Sequence, residues 1–84
     1  MRIGIMYDGF SPLSEAIDFV QQADTVGIDS VWIAEHILFR DVFSSAATFL
    51  AKTDRITIVP TAVSPYLRNP GLIGMTLASL AELA

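Results

Sequence analysis

Three short apolar runs, each followed by a segment with helical spacing, dominate this chain of 84 residues. The runs lie at residues 2–8, 30–35 and 55–63, and they are largely continuous rather than alternating. Continuous apolar runs are typical of parallel strands that are covered on both faces. The run starts are separated by roughly 25 to 30 residues, as consecutive βα units require. The pattern therefore predicts an α/β fold with the order βαβαβα and a parallel sheet.

Cap residues mark the predicted helix ends. Ser11 predicts the start of the first helix as its N-cap, with Pro12 at the first helical position, and Gly27 predicts its end. Asp41 and Asn69 predict the caps of the second and third helices. The predicted core faces are the apolar positions that recur at helical spacing: Leu13, Ala16, Ile17, Val20, Ala23 and Val26; Phe43, Ala46, Ala47, Leu50 and Ala51; and Leu72, Met75, Thr76, Leu80 and Leu83.

Composition argues against several classes of protein. The absence of cysteine excludes a disulfide scaffold and a cysteine-ligated metal, and it favours the cytoplasm. Five Lys and Arg residues against nine acids, a net charge of −4, give no basic footprint for nucleic acid. Asp, Arg or Glu interrupts every apolar run before it reaches the length of a membrane span. We therefore expect a cytoplasmic protein that binds neither nucleic acid nor membrane.

A candidate catalytic pair follows the second predicted strand. Glu35 is followed by His36, the only histidine of the chain. In parallel α/β sheets, the groups just past the carboxyl ends of the strands line the ligand site. An imidazole can donate, accept or bind a proton near neutral pH, and an adjacent acid can orient it or favour its protonated form. The alternative is a solvent-exposed loop pair without a role.

Three further features each leave two interpretations open. The Asp8-Gly9 pair after the first strand allows close approach of the backbone to a ligand, or it forms a plain turn. Pro60 indicates a bulge beside a ligand site, or the strand ends at Val59. Arg68, next to the start of the third helix, binds an anionic group, or it is solvated.

The repeat stops within the third helix, without a cap glycine or a following strand. Three parallel strands leave two unpaired edges and one uncovered face, whereas a closed βα barrel takes eight units and about 250 residues. We therefore expect residues 1–84 to be the amino-terminal part of a single TIM-barrel domain, inactive by itself. We also expect isolated chains to self-associate, and the protein to be a homo-oligomer.

Four stretches, at residues 23–36, 40–43, 53–56 and 61–70, together resemble a known family. They hold a Glu-His pair, an Arg-Asp-Val-Phe run and a Ser-Pro-Tyr-x-Arg-Asn-Pro run, in this order. The order and spacing resemble the bacterial luciferase-like superfamily of flavin- and deazaflavin-dependent oxidoreductases. Within that superfamily, they are most similar to methylenetetrahydromethanopterin reductases that use the deazaflavin coenzyme F420.

The resemblance implies a TIM barrel with a redox ring at the carboxyl ends of its strands. The cofactor would be coenzyme F420 or FMN, and the reaction would be hydride transfer to, or monooxygenation of, a small organic substrate. His36 matches the family histidine near the reactive face of the ring, and Glu35 matches the acid before it. These two residues are our candidate catalytic residues, and no metal site is predicted. The competing hypothesis is a non-catalytic partial barrel that self-associates or complements another chain.

The resemblance also implies a set of cofactor contacts. Thr61, Ala62 and Val63 match the end of the third strand, where the family has a bulge with a cis peptide bond behind the ring; here that bond is Thr61–Ala62. Asp8, after the first strand, is a further candidate contact. Arg40 stands where some deazaflavin-dependent dehydrogenases of the family have tryptophan, which argues against a sugar-phosphate or alcohol substrate.

Overall fold

The structure follows the predicted order of strands and helices. A computed structural model of the chain describes residues 2–36, 38–61 and 68–84. Its elements are, in chain order, β1 (Gly4–Tyr7), α1 (Leu13–Val26), β2 (Ser30–Ile33), α2 (Val42–Lys52), β3 (Thr57–Pro60) and α3 (Pro70–Ala81). The predicted α/β fold is confirmed, and each strand is shorter than its apolar run.

The three strands form one parallel sheet in the order β1-β2-β3. Ile33, the last residue of β2, lies opposite Tyr7 on one side and Pro60 on the other. All three strands therefore end at the same edge of the sheet. This edge is the place where a parallel α/β sheet binds its ligands.

The first helix begins one residue later than predicted. Pro12 is the N-cap, with φ −57° and ψ 144°, and α1 starts at Leu13. The predicted Ser11 cap is wrong, and no side chain caps this helix. The carbonyl of Ser11 instead accepts a hydrogen bond of 2.6 Å from the Tyr7 hydroxyl, which ties the helix start to the end of β1. Burial raises the pKa of Tyr7, so the hydroxyl stays a neutral donor.

The other predicted helix ends are confirmed. Gly27 ends α1 in the left-handed conformation, with φ 91°, which glycine adopts without steric cost. The Asp41 carboxylate accepts a hydrogen bond of 2.8 Å from the Ser44 N–H at the start of α2. The Asn69 side chain accepts one of 2.7 Å from the Gly71 N–H at the start of α3. Each cap satisfies a donor that the first helical turn leaves without a partner.

The core lies between one face of the sheet and the helices α1 and α2. Its buried apolar residues are Tyr7, Ala16, Val20, Ala23, Val31, Ile33, Val42, Phe43, Ala46, Phe49 and Ile56. The predicted face of α2 is partly wrong, because Val42 and Phe49 are fully buried whereas Ala51 is exposed. Ser45 is buried on the same face, where its hydroxyl donates to the Asp41 carbonyl at 2.8 Å. This bond removes the cost of burying the hydroxyl.

Several apolar helix positions lie outside this core. Every residue of α3 is at least partly exposed. Ile73 and Leu80 pack against the core, whereas the predicted core positions Leu72 and Met75 are exposed. Val26, at the end of α1, also faces solvent. These predicted core positions are therefore exposed because the sheet does not cover them.

The opposite face of the sheet carries Met6 and Trp32, and both side chains are exposed. The indole Nε1 of Trp32 donates to the Ser30 hydroxyl at 2.9 Å. A Cβ at Gly4 would lie 2.8 Å from the Ser30 Oγ and 3.2 Å from the Trp32 Nε1. Glycine at position 4 therefore lets the indole lie close to the backbone of β1.

A buried carboxylate joins α1 to the start of β3. Asp24 accepts hydrogen bonds from three successive backbone N–H groups, those of Asp54 at 2.8 Å, Arg55 at 3.0 Å and Ile56 at 2.8 Å. These bonds, first that of Asp54, outweigh desolvation and hold the pKa of Asp24 below its ordinary value. The sequence signal for this contact is an acid four residues after the buried Val20.

Pro60 is accommodated as the last residue of β3, so of the two interpretations left open, the one in which the strand ends at Val59 does not hold. The next N–H, that of Thr61, donates to the Ile33 carbonyl at 2.8 Å. Since successive backbone N–H groups of a strand point to opposite sides, the Pro60 nitrogen faces away from β2 and no bond to β2 is lost. The predicted bulge at Thr61–Ala62 includes Ala62, which lies outside the described residues.

Candidate active site

The carboxyl edge of the sheet brings three candidate site residues together. The Ala34 N–H donates to the Tyr7 carbonyl at 3.0 Å, so the backbones just after β1 and β2 lie side by side. Thr61 is joined in the same way to the end of β2. Asp8 directly follows β1, and Glu35 and His36 follow β2 after Ala34. The candidate site residues therefore come from three consecutive βα loops at the carboxyl edge of the sheet.

Asp8 opens a tight turn after β1. Its carboxylate Oδ1 accepts a hydrogen bond of 2.9 Å from the Phe10 N–H, and Gly9 has a φ of 85°. This geometry is the turn that the sequence left open as one of two interpretations. The turn places the Phe10 side chain beside the end of β2.

An aromatic rim cluster, formed by Phe10, His36 and Phe39, lies at this edge. The rings of Phe10 and His36 are 4.7 Å apart between centroids, at an angle of 35°. Those of Phe10 and Phe39 are also 4.7 Å apart, edge to face at 69°. All three side chains are exposed to solvent. The cluster therefore combines flat apolar surface with an accessible imidazole, a combination that sequence spacing alone did not reveal.

Arg40 connects the first two βα loops. Its backbone N–H donates to the Gly9 carbonyl at 3.3 Å, and its guanidinium donates to the Phe10 carbonyl at 3.4 Å. Arg40, which stands where some relatives have tryptophan, thus holds the turn at Gly9 and Phe10. Phe10 belongs to the aromatic rim cluster.

Arg68 pairs with two carboxylates from the preceding βα unit. Its Nε donates to the Glu35 Oε2 at 3.3 Å, and its Nη2 donates to both Glu35 and Asp41. The guanidinium carbon lies 4.9 Å from the centroid of the Phe43 ring. Pairing with Glu35, and then with Asp41, raises the pKa of the guanidinium above its ordinary value. Of the two interpretations left open for Arg68, binding of anionic groups holds, and the anions are carboxylates of this chain.

These contacts change the interpretation of Glu35. Its carboxylate lies against Arg68, so it secures the loop from which His36 extends. Burial raises the pKa of Asp41, but the hydrogen bonds from Arg68 and from Ser44 outweigh it, and the net pKa is lowered. Both acids are therefore partners of one cation.

The third strand contributes Thr61. Its hydroxyl and its N–H both donate to the Ile33 carbonyl, at 2.9 Å and 2.8 Å. Ala62, Val63 and the predicted cis bond between Thr61 and Ala62 lie outside the described residues.

Within residues 2–36, 38–61 and 68–84, no group of three or more His, Asp or Glu residues is placed to hold a metal ion. In the same part of the chain, no helix has the length and apolar character needed to cross a membrane.

The whole chain matches the model of a protein family. The family is described as luciferase-like monooxygenase, and the match covers residues 1–84. The chain belongs to this family.

Relatives of this luciferase-like chain carry enzyme names. It is 29% identical over 84 residues to a 5,10-methylenetetrahydromethanopterin reductase from Methanolobus tindarius, a match that covers 100% of the chain and 26% of the relative. It is 37% identical to an F420-dependent glucose-6-phosphate dehydrogenase from Kineococcus radiotolerans, with 89% of the chain and 25% of the relative covered. The chain thus spans about a quarter of the length of these relatives.

A solved structure shares the fold of the luciferase-like chain. The coenzyme F420-dependent tetrahydromethanopterin reductase from Methanopyrus kandleri superposes with a TM-score of 0.86 at 20% identity. The match covers 94% of this chain and 23% of that one. The three βα units correspond to the first units of a TIM barrel, as expected from the sequence.

Proposed function

We propose that the protein carrying this chain is an oxidoreductase that uses coenzyme F420 to transfer hydride to or from a small organic substrate. The observation that carries the proposal is the match of 89% of the chain, at 37% identity, to a relative named F420-dependent. The other relative is named for the reduction of a different substrate. A dehydrogenase and a reductase run hydride transfer in opposite directions, which supports the reaction class and leaves the substrate open. On this proposal, residues 1–84 supply the first three βα units of a barrel domain.

The carboxyl edge of the sheet fits a flat, metal-free redox ring. The aromatic rim cluster offers exposed aromatic faces, and the imidazole of His36 adds hydrogen-bonding nitrogens beside them. When bound, coenzyme F420 supplies the two-electron hydride carrier, while the protein positions the ring and excludes water.

In this proposal His36 is the catalytic residue at the rim. One of the two imidazole nitrogens holds a proton or delivers it to the substrate. Glu35, the second candidate, acts through the loop, because its carboxylate is engaged by Arg68.

Thr61, Ala62, Val63 and Asp8 are the proposed cofactor contacts. Thr61 and Asp8 use their side chains for hydrogen bonds within the protein. Neither side chain therefore offers the ring a proton to donate, because the Thr61 hydroxyl proton is engaged and a carboxylate only accepts. The resemblance implies that position 62 is beside the ring, where a larger side chain would occupy the space of the cofactor.

FMN is the second candidate cofactor, because the family description names monooxygenases. The non-catalytic partial barrel is not favoured, since the relatives are named as enzymes.

Cofactor titrations of the complete protein test the proposal. We expect coenzyme F420 to bind more tightly than FMN when each is followed by its own absorbance and fluorescence. Ala62→Phe should weaken binding, whereas Ala51→Phe, on an exposed position of α2, should not. Tighter binding of FMN would assign the protein to flavin chemistry, and absence of binding by either compound would refute the proposal.

A further inference from the structure

We propose that Arg68 is a positioning residue for His36, and that it acts by fixing both ends of the loop between β2 and α2. The proposal rests on the proposed function only in giving His36 a catalytic role. The contact of Arg68 with Glu35 and Asp41 joins the third βα unit to the second at the carboxyl edge of the sheet.

One guanidinium holds the two ends of this loop. Glu35, at its start, is the direct neighbour of His36, and Asp41, at its end, is the N-cap of α2. Arg68 binds Glu35 through both Nε and Nη2, and it binds Asp41 through the same Nη2. Glu35 and Asp41, which are six positions apart in the sequence, therefore share one cation.

Burial makes the Arg68–Glu35 pair more than a surface contact, whereas Asp41 is the more exposed partner. The side chains are 11% exposed for Glu35, 28% for Arg68 and 40% for Asp41. The Phe43 ring, 4.9 Å from the guanidinium carbon, covers part of the cation. Partly buried pairs with good geometry keep their partners in place, whereas exposed pairs contribute little.

The conformation of the loop also indicates that its ends must be held. Leu38 has a φ of 71°, in the left-handed region that leucine rarely adopts, and its side chain is 96% exposed. Strained backbone of this kind persists only where the surrounding structure imposes it. Among the described residues, Phe39 donates a backbone hydrogen bond to the His36 carbonyl and Arg40 donates one to the Gly9 carbonyl. Side-chain pairing by Arg68 adds a constraint on Glu35, the residue directly before the imidazole.

Charge balance also supports a positioning role for Arg68. Arg68 neutralises Glu35 and Asp41 together, so its own charge is already compensated by the chain. Loss of the guanidinium would leave two neighbouring carboxylates without a cation, one of them largely buried. We expect Glu35 to turn toward solvent or toward His36, which would move the imidazole away from the Phe10 ring.

A double-mutant cycle in the complete protein tests the proposal. We expect Arg68→Ala to lower kcat/KM with coenzyme F420 by about 10- to 100-fold, since small displacements of a reacting group are costly. In the His36→Ala background the same substitution should change kcat/KM by less than about twofold. Arg68→Lys, which keeps the charge without the fork, should fall between them. Arg2→Met, at the amino end of β1, is the matched control and should leave kcat/KM unchanged.

Nuclear magnetic resonance of His36 keeps the test independent of turnover. The imidazole signals, assigned by their loss in His36→Gln, should shift in Arg68→Ala and less in Arg68→Lys, while the Trp32 indole signal stays in place. If Arg68→Ala does not fold, Arg68→Lys carries the measurement. Unchanged imidazole signals in a folded variant, or equal losses of kcat/KM in both His36 backgrounds, would overturn the positioning role. A protein that does not turn over coenzyme F420 refutes the proposed function, and the imidazole signals then decide the role of Arg68 alone.

Discussion

The carboxylate of Asp24 accepts a hydrogen bond of 2.8 Å from the backbone N–H of Ile56, and this contact joins the last turn of α1 to the residue before β3. Two further bonds, from Asp54 and Arg55, bind the same carboxylate. Because Ile56 leads directly into β3, the contact helps to fix the position of β3 along β2. It thereby helps to fix where Thr61 contacts the end of β2.

We expect Asp24→Asn to lower the melting temperature near neutral pH. Hydrogen bonds, first that of Asp54, hold the pKa of Asp24 below its ordinary value. Such a carboxyl stabilises the fold above its unfolded pKa of about 3.9, and the contribution is lost as the pH falls through the lower folded value. Melting temperatures at about pH 7 and pH 3 should therefore differ less for the variant than for the wild type. Asp18→Asn, on the exposed face of the same helix, is the control; equal melting temperatures of Asp24→Asn and wild type at pH 7 would contradict the role.

Phe49 is the largest fully buried side chain of the core. Its ring meets that of Tyr7 edge to face, with centroids 5.5 Å apart. Phe49→Ala should lower the free energy of unfolding by about 3–5 kcal/mol, because it removes buried surface and leaves a cavity. Phe19→Ala, which truncates a phenylalanine that is 57% exposed on α1, should cost less than about 1 kcal/mol. Urea unfolding of both variants, followed by Trp32 fluorescence, makes the comparison; equal losses would place Phe49 outside the stabilising core.

The features predicted correctly from the sequence depend on short-range chemistry. The caps at Asp41 and Asn69 each bind an N–H two or three residues further along, so the residue type and its position suffice to identify them. The order of strands and helices follows in the same way from local periodicity. The failed Ser11 cap shows the limit of this reasoning, since a contact from Tyr7 decides where α1 begins.

The features that were missed join residues about 30 positions apart. The spacing between Glu35 and Arg68 in the sequence does not show that the two side chains meet. The carboxylate of Asp24 and the ring contact of Phe10 with His36 depend in the same way on how consecutive βα units are placed beside each other. Such contacts follow from the parallel register of the sheet, which the periodicity alone does not specify.

Asp41 has two roles that substitutions can separate. Its carboxylate caps α2 and also pairs with Arg68. Asn keeps the capping oxygen and removes the charge, whereas Ala removes both, so Asp41→Ala should be about 1 kcal/mol less stable than Asp41→Asn. Urea unfolding in low and high salt measures this difference. Salt should destabilise the wild type more than Asp41→Asn, because the exposed part of the ion pair is screened. Equal stability of the two variants would show that the cap contributes nothing.

A polypeptide of residues 1–84 should self-associate at micromolar concentration. Large apolar side chains are exposed on the helix-free face of the sheet and on α3, including Met6, Trp32, Leu72 and Met75. Exposed apolar surface of this kind promotes association between copies. Leu72→Glu should reduce the mass observed by light scattering, whereas Ser79→Glu on the same helix should change it little. A stable monomer at this concentration would contradict the expectation.

His36 provides the most direct test of the candidate active site. The side chain is exposed and packs on the Phe10 ring, so His36→Ala should change the melting temperature little. If the imidazole holds or moves a proton, kcat with coenzyme F420 should fall by roughly 10²–10⁴-fold, while the affinity for the cofactor changes less. Steady-state kinetics and cofactor titration of the complete protein separate the two effects. Phe39→Ala, in the same aromatic rim cluster, removes apolar surface but no proton donor, and it should weaken cofactor binding more than it lowers kcat. Full turnover by His36→Ala with unchanged cofactor affinity would identify Glu35 and His36 as loop residues without a catalytic role.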